Sequence, residues 1–313
     1  MKYLFFDIEC SNCFNNIGKM CEFGYVVTDE NFKIITKNCY AMSPGKGGEN
    51  KFKLRNRKNQ VDIELAYEYE YYYEQPEFDV FYDKIKKLIE DKDTICFAWS
   101  IENDMKYLFN ACERYNKNPY TYSCYDVQEI ACKYLEDNKK THLIDTCKKI
   151  VGNDSTIQLQ AHLSRDDAIM TMKILEKICV TKNIDSKDLV LKFNFSKLSS
   201  NDVENKIKIK RFKKNNNKLV EEIVSQDKIL ITQDEYKNNI YCISGKVKSY
   251  FNDINKLINF IHDNGGVLTN SLLKADYIIV YDDENKKEIE SKLDANNNTK
   301  MILVNDFLGV SLK

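Results

Sequence analysis

Residues 2–10 read KYLFFDIEC, and this stretch sets the reading of the whole chain. Residues 2–8 form a short apolar and aromatic run of the length of a strand buried on both faces. Asp7 and Glu9 sit two apart at its end, and residues two apart on a strand point to the same face. Two carboxylates side by side at the end of a buried strand repel each other unless a cation neutralises them. Hard oxygen ligands select Mg²⁺ or Mn²⁺. The plain alternative is that Asp7 and Glu9 open a solvated loop, and D-x-E by itself does not decide between the two.

Working outward, residues 22–28 and 31–40 read as strands around an Asp29-Glu30-Asn31 turn. Residues 43–77 are irregular and end in AYEYEYYYE, whose interleaved glutamates suit a solvated insertion better than a platform for bases. Residues 78–90 form a helix with Phe78, Phe81, Ile85, Leu88 and Ile89 on one stripe. A strand at 94–98, a helix at 103–115, a strand at 122–127, helices near 127–136 and 142–151, and an amphipathic helix at 165–181 complete the series. This order predicts an α/β sandwich on a mixed sheet.

The chain has 313 residues, 43% of them hydrophobic and 30% charged, which is enough for two ordinary domains with cores. The net charge of −1 gives no global attraction to nucleic acid, so such a partner must be held by local patches. Eleven cysteines at irregular spacing do not make a disulfide framework and are expected to be reduced. Cys10 and Cys13 form a C-x-x-C without a second pair, a weak zinc signal. The amino-terminal apolar run is too short for a signal peptide and no run is long enough to span a membrane, so a cytoplasmic protein without a membrane partner is expected.

Two more segments join Asp7 and Glu9. TICFAWSIENDMKYL puts Asp104 at the start of a helix just after a strand. AHLSRDDAIMTMKIL puts His162 five residues before Asp167, at the head of another helix. The ordered set FDIE, N-D-x-x-x-L and H-x-x-x-x-D-A-x-x-T resembles the three motifs of the DEDDh 3′–5′ exonucleases, the DnaQ-like family. That family includes the proofreading epsilon subunit of DNA polymerase III and the exonuclease part of PolC-type polymerases. The resemblance covers about the first 180 residues of the chain and implies a ribonuclease H-like mixed β-sheet flanked by helices. It implies two divalent cations, Mg²⁺ or Mn²⁺, held by Asp7, Glu9, Asp104 and Asp167, with Asp7 bridging both and His162 as general base. The implied substrate is a single-stranded or frayed 3′ end of DNA, with RNA the close alternative. Cys10-Ser11-Asn12 and Trp99-Ser100 depart from the family's usual neighbours, so substrate contacts carry over less well than ligands. Asp166 is one residue out of register and is expected at the surface.

These motifs define an exonuclease domain at 1–181. Residues 206–218, KIKIKRFKKNNNK, hold seven basic residues and no acidic ones; 182–238 therefore reads as a linker or basic arm. Lys208, Lys210, Arg211, Lys213 and Lys214 are its candidate contacts to a nucleic-acid backbone. Residues 239–313 resemble a small α/β BRCT domain through Ser244-Gly245-Lys246, Gly265-Gly266, ADYIIV and NDFLGV with Phe307. That resemblance implies a phosphate site at Ser244, Gly245 and Lys286. No polymerase segment is present in the sequence, so a proofreading or repair role needs a polymerase or repair protein as partner. The competing class is an inactive nuclease fold that binds nucleic acid or a phosphoprotein through the BRCT-like region.

Overall fold

A computed structural model describes residues 1–11, 18–45, 65–136, 140–156, 159–231, 239–293 and 299–309. The chain divides into two compact units, Met1–Glu204 and Asn205–Lys313.

The first unit runs β1 (Lys2–Ser11), β2 (Lys19–Asp29), β3 (Ile34–Ala41), α1 (Tyr69–Tyr73), α2 (Phe78–Ile89), β4 (Thr94–Ala98), α3 (Glu102–Arg114), β5 (Ser123–Asp126), α4 (Val127–Tyr134), α5 (Leu143–Ile150), α6 (Ser164–Lys182), α7 (Ser186–Lys192), β6 (Lys197–Ser199) and the start of α8 (Ser200–Ile231). Its six strands lie in the order β3-β2-β1-β4-β5-β6. β1, β4 and β5 are parallel; β2, β3 and β6 run against their neighbours, so the sheet is mixed. β1 is central, and its Tyr3, Leu4, Phe5 and Phe6 are all fully buried, as a strand covered on both faces requires. Tyr3 and Phe5 face the layer containing α6, where Ala168, Met172, Leu175 and Cys179 join the same core. Phe6 stacks on Phe23 on the opposite face. Asp29 makes the expected turn between β2 and β3, its carboxylate accepting the N–H groups of Asn31 and Lys33.

The tyrosine stretch departs from expectation. α1 forms there, and Tyr72 is fully buried with its hydroxyl donating to Glu22. Interleaved glutamates hid a five-residue helix in which the inward ring of Tyr72 has a polar partner. Cys13 and residues 46–64 lie outside the described residues, so the C-x-x-C pair is not formed by described atoms.

The second unit holds the rest of α8, then β7 (Ile240–Ile243), α9 (Gly245–Tyr250), α10 (Ile254–Asp263), β8 (Val267–Thr269), β9 (Tyr277–Val280), α11 (Asp283–Glu290), β10 (Lys300–Leu303) and α12 (Val304–Phe307). Its four strands are parallel in the order β10-β9-β7-β8. Gly265 adopts φ +70°, and a Cβ on Gly266 would lie 2.5 Å from the Tyr241 ring, so both members of the doublet need glycine. Phe307 packs against Tyr241 and Phe260.

The expected linker or basic arm at 182–238 is instead regular structure over its described part. β6 pairs with β5 in the first unit, and α8 is a single 32-residue helix. Within the second unit, Asn216, Val220 and Asp227 of α8 are buried. Asn216 donates to the Lys248 carbonyl, and Asp227 accepts the Leu268 N–H. The helical stripe was invisible in sequence because two of its inward positions are Asn and Asp rather than apolar.

Candidate active site

Asp7 and Glu9 stand opposite Gly24 and Glu22 in the β1–β2 register, on the face that α6 covers. Asp167 enters from the first turn of α6. Ligand oxygens of Asp7, Glu9 and Asp167 all lie within 4.8 Å of one another. Asp104 stands at the start of α3, just beyond the end of β4, and is buried with Oδ2 lacking a hydrogen-bond partner. The turn that feeds α3 is braced from β5: the Ser100 N–H donates to Asp126 Oδ1 at 3.1 Å, while Ser100 holds φ 55°. The cluster thus sits where the parallel strands β1, β4 and β5 end.

These carboxyls resist ionisation together. Burial, then Asp104, Glu9 and Asp167, hold Asp7 well above the usual carboxylate range. Burial and Glu9 do the same to Asp104. Burial, with Glu9, pushes Asp167 up to about 7 against the relief given by His162. Glu9 is raised by burial and partly relieved by a hydrogen bond from His162. Such a cluster is a site for positive charge: an orphaned buried carboxylate oxygen and three converging carboxylates fit divalent cations bound through hard oxygen donors.

His162 lies in the loop leading into α6, with φ 61° and its ring half exposed. Its Nδ1 is 3.5 Å from Glu9 Oε1. A left-handed backbone at a non-glycine residue is a strain that surrounding contacts must hold. Asp166 supplies some of them. It is buried, not at the surface as expected, and its carboxylate accepts the Gln160 N–H at 3.0 Å and the Arg165 Nε–H at 2.9 Å. The residue one place out of register closes the loop that carries His162.

Sequence reasoning missed the residues that let α6 arrive. A Cβ on Gly24 would lie 2.0 Å from the Arg165 nitrogen and 2.1 Å from the Ser164 carbonyl carbon. Only glycine permits that approach. Glu22, fully buried on the same strand, accepts from Ser164. An acidic residue followed two places on by glycine inside an apolar strand was the available signal.

In the second unit, Ser244 is buried, accepts the Val247 N–H as the cap of α9, and donates to Asn285 Oδ1 at 2.8 Å. This places the start of α9 beside the first turn of α11, which carries Lys286. A Cβ on Gly245 would stand 3.8 Å from Lys213 Nζ. Lys246, part of the Ser244-Gly245-Lys246 match but not of the expected phosphate site, pairs with Asp282 at 2.8 Å and Glu284 at 3.0 Å. Lys208, Lys210, Arg211, Lys213 and Lys214 are all exposed on α8.

No family model matches this chain, and no curated protein matches it in sequence. Solved structures do resemble it. A 3′-exonuclease that recognises the 3′ end of a histone mRNA stem-loop has 12% identity and a TM-score of 0.44 over 56% of this chain and 63% of that one. E. coli exonuclease I in complex with a dA16 oligonucleotide has 15% identity and a TM-score of 0.45, covering 58% of this chain and 41% of its own. The nuclease domain of 3′hExo, a DEDDh family member bound to rAMP, has 11% identity and a TM-score of 0.43, covering 59% of this chain and 92% of its own. The chain therefore spans less than two thirds of the first two of these proteins. No described helix is long and apolar enough to cross a membrane.

Proposed function

We propose that this chain is a metal-dependent 3′–5′ exonuclease. The observation that carries the reading is the convergence of Asp7, Glu9 and Asp167 within 4.8 Å. The 3′–5′ direction and the preference for DNA rest on the resemblance of the three sequence motifs. When bound, two divalent cations supply charge neutralisation at the scissile phosphate and a more acidic attacking water. Asp7, Glu9 and Asp167 would hold one of them, and Asp7 with Asp104 the other. His162 takes the proton from the attacking water. Glu9, 3.5 Å from Nδ1, stabilises the imidazolium that this produces. The left-handed backbone at 162, locked by the Asp166 contacts, sets the direction of the imidazole.

For the second unit, we infer a BRCT-like accessory module. Its phosphate contacts are proposed at Ser244, Gly245 and Lys286, with the exposed basic face of α8 following a nucleic-acid backbone. A polymerase or repair protein in trans is the partner such a chain needs for proofreading.

The deciding experiment incubates the full chain with matched DNA and RNA oligonucleotides labelled at either end, with Mg²⁺ or Mn²⁺ and with chelator. The expected result is a ladder shortening from the 3′ end of 5′-labelled strands, abolished by chelator. No hydrolysis of any substrate, or hydrolysis indifferent to chelator, overturns the reading.

A further inference from the structure

Helix α6 brings Asp167 to the site, yet its start has no cap of its own: the N-cap position is Leu163, which offers no side-chain hydrogen bond. An uncapped first turn leaves backbone N–H groups without partners and frays readily. The missing acceptor comes from another element. Glu22 of β2 is fully buried, and its Oε2 accepts both the Ser164 N–H at 2.9 Å and the Ser164 hydroxyl at 2.8 Å. A carboxylate there also meets the positive end of the helix dipole. Its other oxygen accepts from the Tyr72 hydroxyl, and the Cys39 thiol lies 3.5 Å from Oε2.

We propose that Glu22 is a positioning residue for the nuclease site, a cap supplied in trans that fixes the start of α6; its role rests on the nuclease reading above. Ser164 lies between the two groups that must be aimed: His162 is two residues before it and Asp167 three residues after, on the same turn. Glu22 faces Glu9 across the β1–β2 pair, so the clamp is referenced to the strand bearing the other carboxylates. Gly24, two residues along, lets the helix come close enough for the bonds to form. Glu22 is not itself a ligand in this arrangement, because its two oxygens are engaged by Tyr72 and Ser164 and it lies outside the three-carboxylate cluster. Its neighbours donate hydrogen bonds, so what the position needs is an acceptor of the right shape.

The test uses the full chain as wild type, Glu22→Ala, Glu22→Gln and Ser164→Ala. Hydrolysis of a 5′-labelled single strand gives kcat and KM, and calorimetric titration with Mn²⁺ alone gives metal affinity without turnover. Glu22→Ala should lower kcat about 10–100-fold, with KM for the strand little changed and Mn²⁺ binding weakened, the usual scale for groups that orient ligands. Glu22→Gln should recover most of both losses, because its amide oxygen still accepts from Ser164. Ser164→Ala, which keeps the backbone bond, should fall between, and it serves if Glu22→Ala does not fold. Wild-type kcat and Mn²⁺ affinity in Glu22→Ala, or in Ser164→Ala should that variant be needed, overturn the proposal. So does a Gln variant as impaired as Ala, which would mean that charge rather than aim is at stake. If the wild type binds Mn²⁺ but cuts nothing, the nuclease reading falls while the titrations still decide the clamp; if it does neither, both fall.

Discussion

Gly24 lies so close beneath α6 that a methyl group in its place would stand 2.0 Å from the backbone nitrogen of Arg165. The neighbour is backbone, not a side chain that can swing away, so the helix itself must move. Gly24→Ala should destabilise the first unit by about 1–3 kcal/mol, the usual cost of overpacking. Because the displaced turn carries Asp167, hydrolysis should fall further than the loss of folded protein explains. Thermal melts and turnover measured on the same samples separate the two.

Asp7→Asn should abolish hydrolysis and leave the circular dichroism unchanged. Asp7 stands among Asp104, Glu9 and Asp167, all of which raise its carboxyl, so removing its charge relieves repulsion while removing the central donor. Normal turnover in a folded Asn variant sinks the assignment.

His162→Ala should bind Mn²⁺ much as wild type does and lose about 10²–10⁴-fold in rate, the worth of a general base. Raising the pH should restore part of the rate, since hydroxide then replaces the missing base. A collapse of metal affinity without such recovery makes His162 a ligand or a structural group.

The raised carboxyls predict how the metal-free protein responds to pH. Their folded forms hold protons more tightly than the unfolded chain does, so stability is greatest at low pH within this window and is lost as pH rises. For Asp167 the loss runs from the ordinary carboxylate range up to about 7. Differential scanning calorimetry should find the metal-free melting temperature falling across that interval, with Mg²⁺ restoring most at its upper end. A metal-free melting temperature that rises from pH 5 to 7 contradicts the cluster's electrostatics.

Replacing Lys208, Lys210, Arg211, Lys213 and Lys214 together by Ala should leave α8 helical and weaken binding to single strands. Every cation removed from a phosphate should make the dependence of log affinity on log salt shallower by about 0.7. An unchanged slope removes this face from the nucleic-acid path.

The clustered carboxylates were legible because their donors fall at short spacings: D-x-E puts two on one strand face, and His162 and Asp167 straddle one helix start. What braces them was not. Glu22 and Asp166 bond to backbone groups of residues distant in sequence or in a loop, and a backbone N–H leaves no mark on the sequence. α8 was missed for a related reason. Asn216 and Asp227 occupy inward positions as hydrogen-bonding groups, so the apolar period on which a helix is recognised breaks where the helix is most firmly held. The strand at Thr94–Ala98 fared better and matches its expected range, since a short apolar run between turn residues leaves little freedom.

The site draws Asp7 from the first strand of the chain and Asp167 from a helix 160 positions later (167 − 7). During translation, the ribosome has released β1, β2 and β4 long before α6 emerges. Once α3 is also out, the nascent chain holds Asp7, Glu9 and Asp104 without His162 or Asp167, and the cluster closes only when α6 docks. Closure over so long a separation is slow relative to local folding. A cation that binds only the completed cluster then draws the late-folding population toward the finished state by mass action.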